Sequence, residues 1–388
     1  MPGVLMVTGA YHPEVSGGGL QCRTLVRALR GYVPITVLTT ATEPGLATVD
    51  EVDGVPVYRI AVAAGRPGAM LRALWLLMRR FLQLRRRFDI VHLHGVSRKT
   101  LVLIALARLF GKKLVLKLTS AGADDPQSMR AHGRLTFWWY SQPDVFVGVS
   151  PRLRDLYAAS PLPPARFRLI PNGVDLERFR PPMLMEQRAL RRELGLAENV
   201  PMILFVGFFS REKRPDVLFD AWTRVVADPA CASALVFVGA TRSAYHEVDG
   251  ALAERIRATA AQRGVEKALT FVERTHEIEK YYRAADVFVL ASSREGLPNA
   301  LLEAMATGLP CVASRLPGVT DVVIDHGVTG LLFEPSDIGE LEEALRSVLR
   351  DRDRAREIGR RARVTIERGH SIADTASRYL DLYRRLAG

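Results

Sequence analysis

The chain has 388 residues, 48% hydrophobic and 25% charged, which is enough apolar material for two ordinary cores and too much for a disordered chain. The 54 Lys and Arg outnumber 42 Asp and Glu, and the resulting net charge of +12 favours anionic partners. Cys22, Cys231 and Cys311 are widely spaced and form no Cys-x-x-Cys pair, which argues against a disulfide framework or a zinc site and fits a reducing compartment.

The segment Met1–Val7 reads as a first strand and not as a signal peptide. Further short apolar runs follow at Ile35–Leu38, Ile90–Leu93, Leu114–Leu118, Val145–Val149 and Phe167–Ile170. Such runs suit strands buried on both faces. Helical patterns at Leu20–Leu29 and Leu71–Leu84 lie between them, and this alternation predicts βαβ units with a parallel sheet. The second of these helical patterns carries Arg72, Arg79 and Arg80, so no apolar run reaches the roughly 20 residues of a membrane-spanning helix. Pro181-Pro182 and the charged stretch Met185–Leu194 mark a linker near residues 178–200. The strand series then restarts at Met202–Val206, Leu235–Val238, Leu269–Val272, Val287–Leu290, Cys311–Ala313 and Leu331–Phe333. The expected domains are 1–180, 181–370 and a C-terminal amphipathic helix in 371–388 that returns to the first domain.

The strongest motif runs from Ser293 to Pro310. Gly296, Leu297 and Pro298 form a turn after a strand, and Asn299 opens a helix that Gly308 ends. Glu295 falls in the loop at the carboxyl end of that strand, where open α/β sheets bind ligands. Glu303 follows about two helical turns later. Two carboxylates so spaced can hold hydroxyls at both ends of an extended ligand, while the amides at the helix start suit phosphate. On spacing alone, solvated surface glutamates fit equally well. Gly17, Gly18 and Gly19 follow the first strand and open a helix, so a backbone without Cβ atoms can approach a diphosphate; a plain tight turn fits as well. His92 and His94 share one face of their strand.

Several further segments occur in a fixed order: Tyr11-His12-Pro13, Asp89–Gly95, Ile170–Asp175, Phe205-Val206-Gly207 to Glu212-Lys213, Ala285–Val289 and Asp325–Leu332. With Glu295-x₇-Glu303 and Glu303-Ala-Met-Ala-x-Gly-x-Pro, this series resembles the retaining glycosyltransferases of family 4, which have the GT-B fold. The resemblance implies two Rossmann-like doubly wound domains facing a central cleft. It also implies a nucleotide-diphosphate sugar (UDP or GDP) as co-substrate, a hydroxyl-bearing glycan or lipid-linked acceptor, and neither cofactor nor catalytic metal. Glu295 inherits contact with the donor sugar, Glu303 with ribose, and His94 with donor-sugar hydroxyls near the reacting carbon, while His92 is structural. Lys213 is placed to stabilise negative charge on the departing diphosphate. The family usually has Arg directly after the Gly of this loop. Phe208 stands there instead, and Arg211 is expected to supply the guanidinium. Thr320-Asp321 replaces the common Pro-Glu and is assigned no role.

Arg66 to Arg87 holds seven Arg and no acid. Leu71, Leu74, Trp75, Met78 and Leu82 form one face of this segment. An ordinary sheet-covering helix is favoured slightly over a helix that lies on an anionic membrane. The expected location is cytoplasmic, with the inner membrane face as a candidate. A sugar-nucleotide epimerase of the same fold is the alternative enzyme. A basic nucleic-acid-binding protein is the non-enzymatic alternative, and no recognised nucleic-acid motif supports it.

Overall fold

The computed structural model describes residues 2–62, 68–241 and 248–388, so Arg66 lies outside the described residues. The chain forms two compact units, Met1–Gly173 with Ile372–Gly388, and Val174–Ser371.

The first unit contains β1 (Val4–Thr8), α1 (Gly17–Leu29), β2 (Ile35–Ala41), β3 (Val49–Val52), β4 (Val55–Ala61), α2 (Ala69–Leu84), β5 (Ile90–His94), α3 (Arg98–Leu109), β6 (Lys113–Leu118), α4 (Pro126–Ala131), α5 (Arg134–Tyr140), β7 (Val145–Gly148), α6 (Pro151–Ala158) and β8 (Phe167–Leu169). Its sheet runs β3-β4-β2-β1-β5-β6-β7-β8. Every neighbouring pair is parallel except β3 and β4. That antiparallel pair escaped the sequence reading, although its turn is legible: Asp53 and Gly54, both at positive φ (54° and 76°), make the two-residue connection that matches strand twist.

The second unit contains α7 (Glu186–Glu193), β9 (Met202–Val206), α8 (Pro215–Val225), β10 (Ala234–Val238), α9 (Gly250–Gln262), β11 (Leu269–Val272), α10 (Ile278–Ala284), β12 (Val287–Leu290), α11 (Asn299–Ala306), β13 (Cys311–Ser314), β14 (Leu331–Phe333), α12 (Ile338–Arg350) and α13 (Arg352–Gly369). Its all-parallel sheet runs β11-β10-β9-β12-β13-β14. The last helix, α14 (Ile372–Ala387), belongs to the first unit. Tyr379 and Tyr383 of α14 are fully buried and join Cys22, Leu25 and Val26 of α1 in one core.

Three expectations need correction. The first boundary falls at Gly173–Val174, before the expected 180, because the Val174 amide donates to the carbonyl of His370 at 2.8 Å and Val174 bridges Ser371. The stretch 178–200 is not a free linker. Beyond the two prolines α7 folds back on α10, burying Leu190 and Arg191; Arg191 donates to the Ala284 carbonyl at 2.8 Å and pairs with Asp286. Finally, α2 covers the sheet with Ala73, Leu77, Phe81 and Leu84, so Leu71, Trp75 and Leu82 point outward. The segment carries two apolar stripes, and one helix can press only one of them into a core.

The turn that ends α11 touches α13 at the backbone. A Cβ at Gly359 would lie 2.1 Å from the Gly308 carbonyl oxygen. Gly359→Ala must push the two helices apart, and urea unfolding of the intact chain should show a loss of about 1–3 kcal/mol.

Candidate active site

In the second unit the chain winds outward from β9 in both directions, and strand order reverses between β9 and β12. The loops at the carboxyl ends of two such strands part there and leave a crevice, the usual ligand site of open α/β sheets. Gly207–Arg214 follows β9, and Ala291–Pro298 follows β12. Across the crevice, Lys213 Nζ lies 2.6 Å from Glu295 Oε1, with side chains 30% and 9% exposed. The Ser293 amide donates to the Glu212 carbonyl at 2.8 Å, and Arg294 pairs with Glu212. The two loops are therefore tied by backbone and by charge.

The neighbouring cations point elsewhere. Arg214 is drawn to Asp216 at 3.2 Å, and Arg211, 92% exposed, lies 3.6 Å from Asp249. The structure thus unites Lys213 with Glu295 and leaves Arg211 outside that pair. Phe208 is half-buried. Phe209 is fully buried, with its ring 5.1 Å from Phe237 and 5.7 Å from Phe271, and anchors the loop in the core.

Past Glu295, Gly296, Leu297 and Pro298 are buried, and α11 starts at Asn299. Pro298 occupies the N-cap and provides no side-chain cap. Glu303 sits on α11 with its Oε2 2.9 Å from the Tyr282 hydroxyl. Burial pushes its carboxyl up to about 7; the Tyr282 hydrogen bond and nearby Arg178 pull the other way and lose. Arg178 is itself engaged with Glu279 at 2.8 Å. Tyr282 carried no signal in sequence beyond an apolar helical position.

In the first unit strand order reverses between β1 and β5. His94 ends β5, and its ring stacks on His92 at 4.3 Å and 29°, as alternation along a strand requires. His92 Nδ1 lies 2.6 Å from the Tyr383 hydroxyl of α14. His94 is buried, and neither of its ring nitrogens has a hydrogen-bond partner among the described residues. Burial, then His92 and Lys117, hold its pKa well below the usual value, so the ring is neutral. Lys117 pairs in register with His94, and burial lowers it to about 8. A lone Lys in Leu-Val-Leu-Lys-Leu was its overlooked sequence signal. Buried Asp124, also overlooked, accepts from the Val96 amide at 3.1 Å and the Thr119 amide at 3.0 Å. It joins the loops after β5 and β6.

The three glycines of α1 divide by environment. A Cβ at Gly19 would lie 2.3 Å from the Ala10 carbonyl oxygen, whereas Gly17 and Gly18 face open space. Ser16 caps the helix, its Oγ accepting from the Gly19 amide at 3.0 Å. Among the described residues no group of three or more His, Cys, Asp and Glu could hold a metal ion.

Two parallel-sheet units of Rossmann type, each with polar side chains gathered where strand order reverses, define a GT-B architecture. Residues 186–365 match the model "Glycosyl transferases group 1", and residues 16–173 match "Glycosyl transferase 4-like domain". The chain belongs to this glycosyltransferase family. It is 35% identical over 221 residues to the D-inositol 3-phosphate glycosyltransferase of Nocardia farcinica, covering 56% of this chain and 47% of that one. The chain thus spans about half the length of the first curated relatives it matches. It is 29% identical over 312 residues to the Escherichia coli UDP-Gal:alpha-D-GlcNAc-diphosphoundecaprenol alpha-1,3-galactosyltransferase, covering 76% and 75%. The crystal structure of Anabaena HepE in complex with UDP-glucose shares the fold with a TM-score of 0.81 at 16% identity, covering 99% and 100%.

Glu303 predicts a pH signature. Its folded pKa of about 7 stands above the ordinary 4.5, so between these values the folded state holds more protons than the unfolded state. Stability therefore falls as pH rises through this window, by up to about 1 kcal/mol per pH unit. Urea unfolding between these pH values should show that decline in the wild type and a flatter profile in Glu303→Gln.

Proposed function

We propose that this chain moves a sugar from a nucleotide diphosphate to a hydroxyl acceptor with retention of anomeric configuration. The observation that supports this reading above others is the Lys213–Glu295 pair spanning the reversal point of the second sheet. A nucleoside diphosphate leaving group gains negative charge as the bond from the anomeric carbon to its phosphate oxygen breaks. A fixed cation in a partly shielded crevice opposes that charge. Lys213 is assigned this role, and Arg211, exposed on the same loop, is assigned as the second cation. Glu295 accepts hydrogen bonds from the donor sugar and keeps Lys213 in place. The turn that leads into α11, from Gly296 through Asn299, receives phosphate, and Glu303 receives ribose hydroxyls.

In the first unit, Gly17 and Gly18 allow close approach of an anion, and the neutral His94 ring offers both a donor and an acceptor to a sugar hydroxyl. The acceptor oxygen attacks on the face the diphosphate leaves, and its proton passes to the departing phosphate oxygen. No cofactor or metal is assigned a step. A lipid-linked or cell-surface glycan is the proposed acceptor, the former supported by the Escherichia coli relative's named substrate. The proposed location is the cytoplasm.

A thermal-shift panel of nucleotide sugars should give a donor that raises the melting temperature, with a ligand at about 100 times its Kd adding about 2.7 kcal/mol. Product formation must require an acceptor; turnover without one would support the epimerase instead. Lys213→Ala should lower kcat about 10²–10³-fold. Arg211→Ala should also lower it strongly, and wild-type turnover in that variant would remove Arg211 from the scheme.

A further inference from the structure

The outward stripe of α2 is a surface without an internal explanation. Leu71 is 74% exposed, Trp75 55% and Leu82 37%. Helix α3 packs between α2 and α5 and extends the apolar surface with Leu109, 74% exposed. On α5, Leu135 and Trp138 are 71% and 53% exposed. Single exposed apolar residues are common, but a group of this size on adjacent helices marks an interaction surface.

Charge identifies what that surface meets. The α2 sequence holds three Arg and no acid. Arg79 leans over the Trp75 ring at 5.6 Å, and Arg85 over the Phe110 ring at 5.7 Å. Each guanidinium lies over an aromatic ring of this surface, and Arg85 also donates to the Leu82 carbonyl at 2.6 Å. The arginines of α13 differ: Arg356, Arg360 and Arg361 each sit 2.7 Å from a carboxylate of their own helix. Acids within α13 thus partner several of its arginines, whereas α2 has no acid to offer its own.

We propose that α2, the end of α3 and α5 form a docking surface for an anionic lipid bilayer. Trp and Leu enter the boundary between head groups and acyl chains, and the arginines engage lipid phosphates. A second copy of the chain fits less well, because a two-fold contact would press uncompensated arginines of both copies together. A nucleic acid fits less well too, since leucines exposed to this degree gain nothing from a phosphate backbone. The proposal stands on this surface alone and is independent of the sugar-transfer reading.

The test uses the full chain with vesicles of phosphatidylcholine, alone or mixed equally with phosphatidylglycerol. The chain should co-sediment with the mixed vesicles and not with phosphatidylcholine alone. Its tryptophan emission should shift to shorter wavelength on binding, and binding should weaken as salt rises. A Leu71→Ser, Trp75→Ser double variant should keep the wild-type melting temperature and bind at least about tenfold more weakly. Arg72→Glu with Arg79→Glu should weaken binding as well. Absence of wild-type binding at low salt would overturn the proposal, as would undiminished binding by the double variant. A dimer in light scattering that the double variant dissolves, without vesicle binding, would assign the face to a second copy.

Discussion

A parallel sheet wound outward from one strand must part its loops where the winding changes direction. The crossover connections on one side of that strand carry their helices to one face, and those on the other side to the opposite face. Both units obey this constraint, with the reversal between β1 and β5 in the first and between β9 and β12 in the second. The polar side chains discussed above owe their placement to it. His94 ends β5, the Gly17–Gly19 turn of α1 follows β1, and Lys213 and Glu295 lie in the loops after β9 and β12. Strands that are mostly apolar on both faces carry few such groups along their length, so chemistry collects towards their carboxyl ends.

The two glutamates of the Glu-x₇-Glu element occupy contrasting environments. Glu295 faces an ammonium group at 2.6 Å, which offsets the cost of holding a largely buried carboxylate. Glu303 meets the Tyr282 phenol hydroxyl, with Arg178 nearby, and burial raises its pKa to about 7. It can therefore accept or donate a hydrogen bond near neutral pH. The same side chain thus meets a cation in one place and a neutral donor in the other, on either side of one helix start. His94 follows the same logic in the first unit: buried beside a lysine, it stays uncharged, and neither ring nitrogen has a hydrogen-bond partner among the described residues.

The surplus of positive charge is distributed unevenly. On α13 several arginines find carboxylates of their own helix in i,i+3 and i,i+4 pairs. On α2 it borders exposed Leu and Trp with no acid in the helix. Among the described residues no helix is long and apolar enough to cross a membrane.

Much of this was legible in the amino-acid order. Short apolar runs alternating with longer periodic segments define parallel βαβ units, because a strand covered on both faces has no polar side to show. The run from Ser293 to Pro310 encodes its own strand-turn-helix, through glycine and proline placed where the backbone needs them. Tertiary structure decided what local pattern leaves degenerate. It chose which of two apolar stripes on α2 is buried, since sequence periodicity counts stripes without knowing which one meets the sheet. It set the unit boundary at Gly173, through a backbone bond from Val174 to a residue nearly two hundred positions away. It also drew Lys213 onto Glu295 and left Arg211 in solvent, because a side chain's partner depends on which loops the sheet brings together and not on its neighbours in the chain.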